Sequence, residues 1–160
     1  MGNKGRTKFN VSKNPASRTY DGVVYDSRVE MLFYRDFVLP KMASGEIVEC
    51  RKQVPYILQE AFRRVDKNGK NVAVRKIDYV ADYEITYRDG SKKVIDTKGF
   101  ADSVALMKRK MFWYKYPDID YQWISYSVKD GGWVDYDDLQ KARRARRKVK
   151  TDESAQKGSK

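Results

Sequence analysis

The run Tyr79-Val-Ala-Asp82-Tyr-Glu-Ile-Thr-Tyr-Arg-Asp-Gly90-Ser-Lys-Lys-Val-Ile-Asp96-Thr-Lys98-Gly99 reads as two β-strands joined by a tight turn. Lys76 to Tyr87 is the first strand, with Val80 through Tyr87 alternating in polarity; Asp89-Gly90 is a hairpin signal, Lys92 to Lys98 returns as the partner, and Gly99 ends it. Strand side chains alternate between faces, so Asp96 and Lys98 point the same way, about 6.5–7 Å apart at the backbone. The loop length then decides where Asp82 falls. A two-residue loop at Asp89-Gly90 pairs Arg88 with Ser91 and sets Asp82 opposite Thr97, on the wrong face. A three-residue loop, Arg88-Asp89-Gly90 with Gly90 left-handed, pairs Tyr87 with Ser91 and sets Asp82 opposite Asp96, with Cβ atoms about 5 Å apart.

Two carboxylates that close repel unless a proton or a cation lies between them. A hard divalent ion suits such a pair, and Mg2+ characteristically takes one or two protein carboxylates and completes its shell with water and phosphate oxygens. Lys98 alongside is placed to orient an attacking water or to stabilise charge on a phosphate. The plainer reading is a solvated hairpin pair bridged by Lys92 or Lys98. Against it, Val80, Ala81, Val94 and Ile95 flank the two acids, and an unpaired carboxylate is costly in such company.

Upstream, a helix begins at Asp26 or Ser27. Ser27-Arg-Val-Glu30 has capping-box spacing, and Val29, Leu32, Phe33 and Phe37 form an apolar stripe up to Pro40 and Gly45. Ile47 to Phe62 is rich in β-formers around Pro55, giving one long bent strand or two short ones, and Lys67-Asn-Gly69-Lys is a turn. Downstream, Ser103 to Tyr116 is a helix with Val104, Met107, Met111 and Tyr114 on one face. Ile119 to Val128 is a strand, Gly131-Gly132 a loop, and Asp135 to Lys148 a last helix, acidic at its start and basic at its end. This order predicts an α/β fold, a mixed central β-sheet flanked by helices.

The chain has 160 residues, 34 Lys and Arg against 22 Asp and Glu, and no histidine. Without His there is no Ser-His-Asp triad, no imidazole base and no Cys/His zinc finger. The single cysteine, Cys50, excludes a disulfide framework. There is no apolar run of 18 residues and no apolar leader, so the expectation is a protein without membrane association, in the cytoplasm. The net charge of +12 is unevenly spread. Residues 1–20 hold five bases and no acid, and residues 141–160 hold nine bases and two acids. Residues 21–140 hold 20 of each and are neutral. The reading is therefore a basic flexible arm at 1–19, a folded core at 20–134, and a basic C-terminal helix with a disordered tail at 135–160. Basic ends on a neutral body are the footprint of a polyanion binder.

Asp82, then Asp96-Thr97-Lys98 on the next strand, with Glu30 on a preceding helix, resembles the PD-(D/E)xK nuclease superfamily. The run Ala-Asp-Tyr-Glu-Ile to Val-Ile-Asp-Thr-Lys-Gly-Phe, and the basic helix ending Tyr-Pro-Asp-Ile, resemble two phage branches: one without assigned function, and the junction-resolving endonuclease I enzymes. The resemblance covers roughly residues 20–128. Ala81 stands where the motif has proline, and Asp96 where glutamate is commoner. It implies a restriction-endonuclease-like core and Glu30, Asp82 and Asp96 as catalytic metal ligands or their immediate support. It also implies Lys98 as the catalytic lysine and Mg2+, replaceable by Mn2+, as cofactor.

The function expected is a metal-dependent DNA endonuclease, structure-selective in the manner of a Holliday-junction resolvase in phage recombination or replication, working in a bacterial host cytoplasm. Symmetric cutting of both strands needs two sites and so a homodimer. An exonuclease or restriction-like duplex nuclease, and a non-catalytic nucleic-acid-binding accessory protein, are the alternatives. Candidate backbone contacts are Lys108, Arg109 and Lys110 on the helix and Arg143, Arg144, Arg146 and Arg147 near the C-terminus. Gln53 is a possible accessory at the metal water or the scissile phosphate.

Overall fold

The computed structural model describes residues 14–157, with side chains through Thr151. Five strands form the central sheet: β3 (Ile47–Gln59), β6 (Ile77–Tyr87), β7 (Lys92–Thr97), β8 (Asp120–Ser127) and β9 (Gly132–Asp135), in the spatial order β3-β6-β7-β8-β9. Only the β7–β8 pairing is parallel. It is made by a crossover through α3 (Ser103–Lys115), so the sheet is mixed. Two short hairpins stand apart from it, β1 (Thr19–Tyr20) with β2 (Val23–Val24), and β4 (Phe62–Val65) with β5 (Asn71–Val74). Two helices, α1 (Arg28–Phe33) and α2 (Leu39–Ala43), precede β3, and α4 (Tyr136–Lys157) closes the chain. The architecture expected from the order of elements is the one observed.

Helices cover both faces of the sheet. Phe33 and Val38 pack with Ile47, Tyr83, Ile85 and Ile95, whereas Phe112 of α3 and Tyr136 of α4 pack with Tyr79, Val94, Tyr121 and Trp123. Among the described residues no helix is long and apolar enough to cross a membrane.

Pro55 sits inside β3 without breaking it. β3 is an edge strand, so the missing N–H removes no ladder bond from the sheet interior. Pro40 has a larger effect. The turn before it, Tyr34–Val38, widens to π-helical spacing and Leu39 N–H donates to Tyr34 O, which separates α1 from α2. A proline cannot donate to the residue four back and clashes with its carbonyl, so the ladder re-registers ahead of it.

Several local expectations are corrected. Asn14 caps a short 3-10 turn, Pro15–Arg18, through its side-chain oxygen on Ala16 N–H at 3.0 Å, and Thr19 begins a hairpin. The expected flexible arm is thus structured from residue 14, and residues 1–13 lie outside the described residues. At the other end α4 runs on through Lys157, where a disordered tail was expected from 151. The segment holds Glu, Ala, Gln and Lys with no Gly or Pro, so nothing local stops the helix. Residues 158–160 lie outside the described residues. Tyr136 and Leu139 are buried, so the first turns of α4 complete the core. The Gly131-Gly132 loop leads into β9, a strand too short to show an alternation; its Trp133 ring lies 4.9 Å from Tyr126 and 5.1 Å from Phe33.

The largest correction concerns α3. Its inward face is Arg109 and Phe112, while Val104, Met107 and Tyr114 of the expected apolar stripe are exposed, Tyr114 at 91%. An ion pair made by the buried Arg109, described below, turns the helix this way.

Candidate functional site

The hairpin loop sets the site. Tyr87 N–H donates to Ser91 O at 2.9 Å, Gly90 N–H donates to Tyr87 O, and Gly90 has φ +83°. This is the three-residue loop, and Gly90 is needed because few other residues tolerate that φ. The register follows: Thr86 pairs with Lys92, Ile85 with Lys93, Glu84 with Val94 and Tyr83 with Ile95. Asp82 and Asp96 are the next opposed positions.

There the β6–β7 ladder stops. One oxygen of Asp82, Oδ2, accepts both Thr97 N–H at 2.7 Å and the Thr97 hydroxyl at 2.8 Å. A side chain thus takes the donor that a backbone carbonyl would have used. Beyond this point β7 pairs only with β8, through Asp96–Trp123 and Thr97–Ile124, and Lys98 N–H extends that pairing to Ile124 O at 2.8 Å. β6 meanwhile stays with β3. The sheet splays between β6 and β7, and the carboxylates stand at the fork.

Opposite Asp82 on the other side, the pairs Lys52–Tyr83 and Val54–Ala81 bracket Gln53. Gln53 has φ +52°, a left-handed conformation that a non-glycine residue rarely adopts inside a strand and that costs on the order of 1–3 kcal/mol. The strained backbone aims its exposed side chain at α1, where Nε2 donates to Glu30 Oε1 at 2.9 Å. Glu30 itself is 3% exposed. Ser27 caps α1 by accepting Glu30 N–H at 3.1 Å, while Glu30 Oε2 accepts Asp26 N–H at 3.1 Å. The Tyr83 hydroxyl, from β6, donates to Glu30 O at 3.0 Å. Glu30 is therefore both a capping residue and an acid whose charge acts on Asp82.

Asp96 is 1% exposed. The Lys98 ammonium lies against its Oδ2, but no hydrogen bond of good geometry reaches that oxygen. The buried Tyr79 hydroxyl lies beside the same carboxyl, also without a well-directed partner. Lys98 Nζ is 5.3 Å from the Trp123 ring, which floors this side of the cleft.

Electrostatics tie the three acids together. Burial, then the charges of Asp96 and Glu30, push the Asp82 carboxyl up to about 8, against the opposing pull of Lys98 and the Thr97 bond. Burial likewise raises Asp96, with Lys98 and Tyr79 pulling back, and raises Glu30 against its bond from Gln53. Negative charge is thus disfavoured in the cleft until a cation or a proton enters. Among the described residues no three His, Cys, Asp or Glu side chains converge tightly enough to form a ready-made ligand cage. A pair of carboxylates is nevertheless the protein share characteristic of Mg2+. Asp96 Oδ2, with the Lys98 ammonium beside it but no well-directed hydrogen bond, and the elevated carboxyls fit a hard divalent cation at Asp82 and Asp96, with Glu30 as the third acid nearby.

This charge arrangement has a measurable consequence for stability. The ordinary Asp value is about 3.9, below the value near 8 in the fold, so between those limits the folded chain binds a proton that the unfolded chain has lost. The stability contributed by this proton in the cation-free protein is therefore complete below pH 4. It falls as pH rises towards 8, by at most about 1.4 kcal/mol per pH unit for each such proton. Asp78, Asp89 and Asp130 are shifted the other way, by a lysine, a serine and an arginine, and lose their contribution only below that window. Thermal melts in EDTA from pH 4 to 9 check this, and a Tm that climbs steadily to pH 8 would contradict the buried-acid description.

The expected nucleic-acid contacts divide sharply. Arg109 is 6% exposed and makes a two-pronged pair with Asp137, at 3.0 and 2.8 Å. Its guanidinium lies 4.4 Å from the rings of both Trp113 and Trp123. It joins α3 to β8 and α4 and is not a phosphate contact. Arg146 pairs with Asp130 at 2.6 and 3.2 Å, and Lys108 donates to Asp78 O at 2.7 Å, so both are also engaged within the fold. Lys110, Arg144 and Arg147 are exposed, and Arg143 is half-buried. Sequence reasoning passed over Thr97, Tyr79 and Tyr83. Thr97 lies between the two residues singled out, and its hydroxyl is a donor such a carboxylate pair needs; nothing in the sequence marks the two tyrosines.

Fold and site together define a mixed α/β protein with a partly buried acid–lysine cluster where its sheet forks. Residues 6–132 match the family model described as "Protein of unknown function (DUF1064)", and the chain belongs to that family. No curated protein matches it.

Proposed function

We propose that the chain is a metal-dependent DNA endonuclease of the PD-(D/E)xK type, which hydrolyses phosphodiester bonds at the β6–β7 fork. The observation that carries the proposal is the carboxylate pair of half-buried Asp82 and buried Asp96, with Lys98 against Asp96. Mg2+ or Mn2+ held by Asp82 and Asp96 supplies Lewis-acid catalysis at the phosphoryl group. Lys98 places a cation at the phosphate and so favours the charge that builds up as water adds to phosphorus and the P–O bond breaks. Gln53, exposed at the mouth and fixed by Glu30, presents an amide to the incoming backbone. Thr97 holds Asp82 in place, so the pair is set before substrate arrives.

Basic ends on a neutral body favour gripping backbone over reading bases. A branched substrate such as a four-way junction, and a homodimer that presents two clefts, follow from that reading. Cleavage of linear, flap, fork and four-way DNA with Mg2+ and with Mn2+ tests it. The expected result is internal cutting, strongest on branched DNA and absent in EDTA. Stepwise release of single nucleotides from ends would point to an exonuclease. Binding without cutting under every condition would point to an accessory DNA-binding protein.

A further inference from the structure

β3 and β6 do not end where the sheet ends. The Gln59–Ile77 pair is followed, after a short irregularity, by Phe62–Val74, Arg63–Ala73, Arg64–Val72 and Val65–Asn71. β4 and β5 are thus a two-stranded continuation of the very ribbon that carries Gln53 and Asp82. Every residue of β4 is exposed, including Phe62 at 48% and Val65 at 65%. A free two-stranded ribbon is only marginally stable in water. This one is closed by Asp66, whose Oδ1 accepts the N–H groups of Asn68 and Lys70 at 2.8 and 2.9 Å, around Gly69 at φ +75°.

The charge of this segment is distinct. Residues 60–76 hold six bases and two acids, so the rest of the neutral body carries a net negative charge. One of the acids, Asp66, is tied into the turn, and the other, Glu60, faces Lys115 at 3.8 Å. Arg63 bonds the Asn71 amide and Lys76 pairs with Asp78 at 2.9 Å. Arg64, Lys67, Lys70 and Arg75 show no carboxylate partner among the described residues and project from the extension.

We infer that the β4–β5 ribbon is a groove-binding arm for duplex DNA, laid along the substrate on one side of the bond held at the fork. This rests on the proposed function, since it takes DNA as the partner. The major groove is about 12 Å wide and admits a two-stranded ribbon. Asp82 lies thirteen residue steps after Gly69. At about 3.3 Å per residue the tip lies at most about 43 Å from the carboxylates, about one helical turn of duplex away. The unpaired cations meet phosphates on the groove walls, and Phe62 and Val65 offer apolar contact to base edges without demanding a sequence.

The test is binding of a 30-base-pair duplex in EDTA across 50–200 mM KCl, for the parent and for R64A/K67A/K70A/R75A. Each lost phosphate contact lowers the log–log salt slope by about 0.9, so a fall of about 2 to 4 is expected, with an affinity loss of at least about tenfold at 50 mM. R64K/R75K keeps the charge and should keep the slope. These side chains are exposed, so the melting temperature should hold; if the quadruple variant melts early, the tip pair K67E/K70E must by itself lower the slope by about 2. Unchanged affinity and slope would overturn the assignment. So would unchanged DNA binding with a changed oligomeric state, which would make the ribbon an interface between copies. A protein that binds through the ribbon but never cuts leaves this assignment standing and removes the nuclease reading.

Discussion

Asp96→Asn and Lys98→Ala are each expected to lower Mg2+-dependent DNA cleavage by about a thousandfold or more, while the affinity for the same DNA in EDTA stays within a few-fold of the parent. The first substitution keeps the shape of a side chain that is 1% exposed but removes its charge. The second removes the cation that lies against it. Loss of a single preorganised charge-stabilising group costs on the order of 10²–10³ in turnover, and losing a cation-binding oxygen adds to that. The two variants should part in stability. Asp96→Asn relieves a carboxyl that burial holds above its usual range, so it should raise the Tm of the cation-free protein. Lys98→Ala leaves Asp96 without its counter-charge and should lower it. Parental cutting rates in both variants would end the nuclease reading; lost cutting with retained binding would exclude a purely binding role.

Arg109→Ala is expected to destabilise the fold by about 3 kcal/mol, seen as a fall in Tm of roughly 6–12 °C for a chain of this size. The guanidinium fills the space between Trp113 and Trp123 and closes a two-pronged pair with Asp137. Removing it opens a gap beside Trp123, which is 0% exposed. Arg109→Lys should recover little, because an ammonium has neither the flat face nor the fork. In a folded Arg109 variant the salt dependence of DNA binding should match the parent. A variant that melts with the parent but loses salt dependence would return Arg109 to the phosphate-contacting group.

Arg109 also shows where pattern reading goes astray. On α3 an arginine looked like the outward face and Val104, Met107 and Tyr114 like the inward one, yet the helix is turned the other way. The decisive partner, Asp137, is 28 residues away in sequence and reaches Arg109 only through tertiary packing. Lys108 and Arg146 also have partners that only the tertiary structure supplies, a carbonyl on β6 and a carboxylate after β8. The local signals fared better. Ser27 and Glu30 form a cap, Asp89-Gly90 forms a turn, and β6 and β7 fall within a residue of their expected ends. Each of these depends on side chains no more than a few residues apart.

Composition alone removed histidine chemistry and disulfides, and alternation alone placed Asp96 and Lys98 on one side of a strand. What remained open was the number of residues in one loop. Both candidate loops are compatible with Arg88-Asp89-Gly90-Ser91, because either satisfies the local backbone. The packing of Tyr83, Ile85 and Ile95 against α1 fixes one register for the whole hairpin, and a slip by one residue would expose them all. Asp82 and Asp96 are neighbours for that reason. The fork at Thr97 and the left-handed Gln53 follow from it, since each exists only once three strands and a helix have met at the same place.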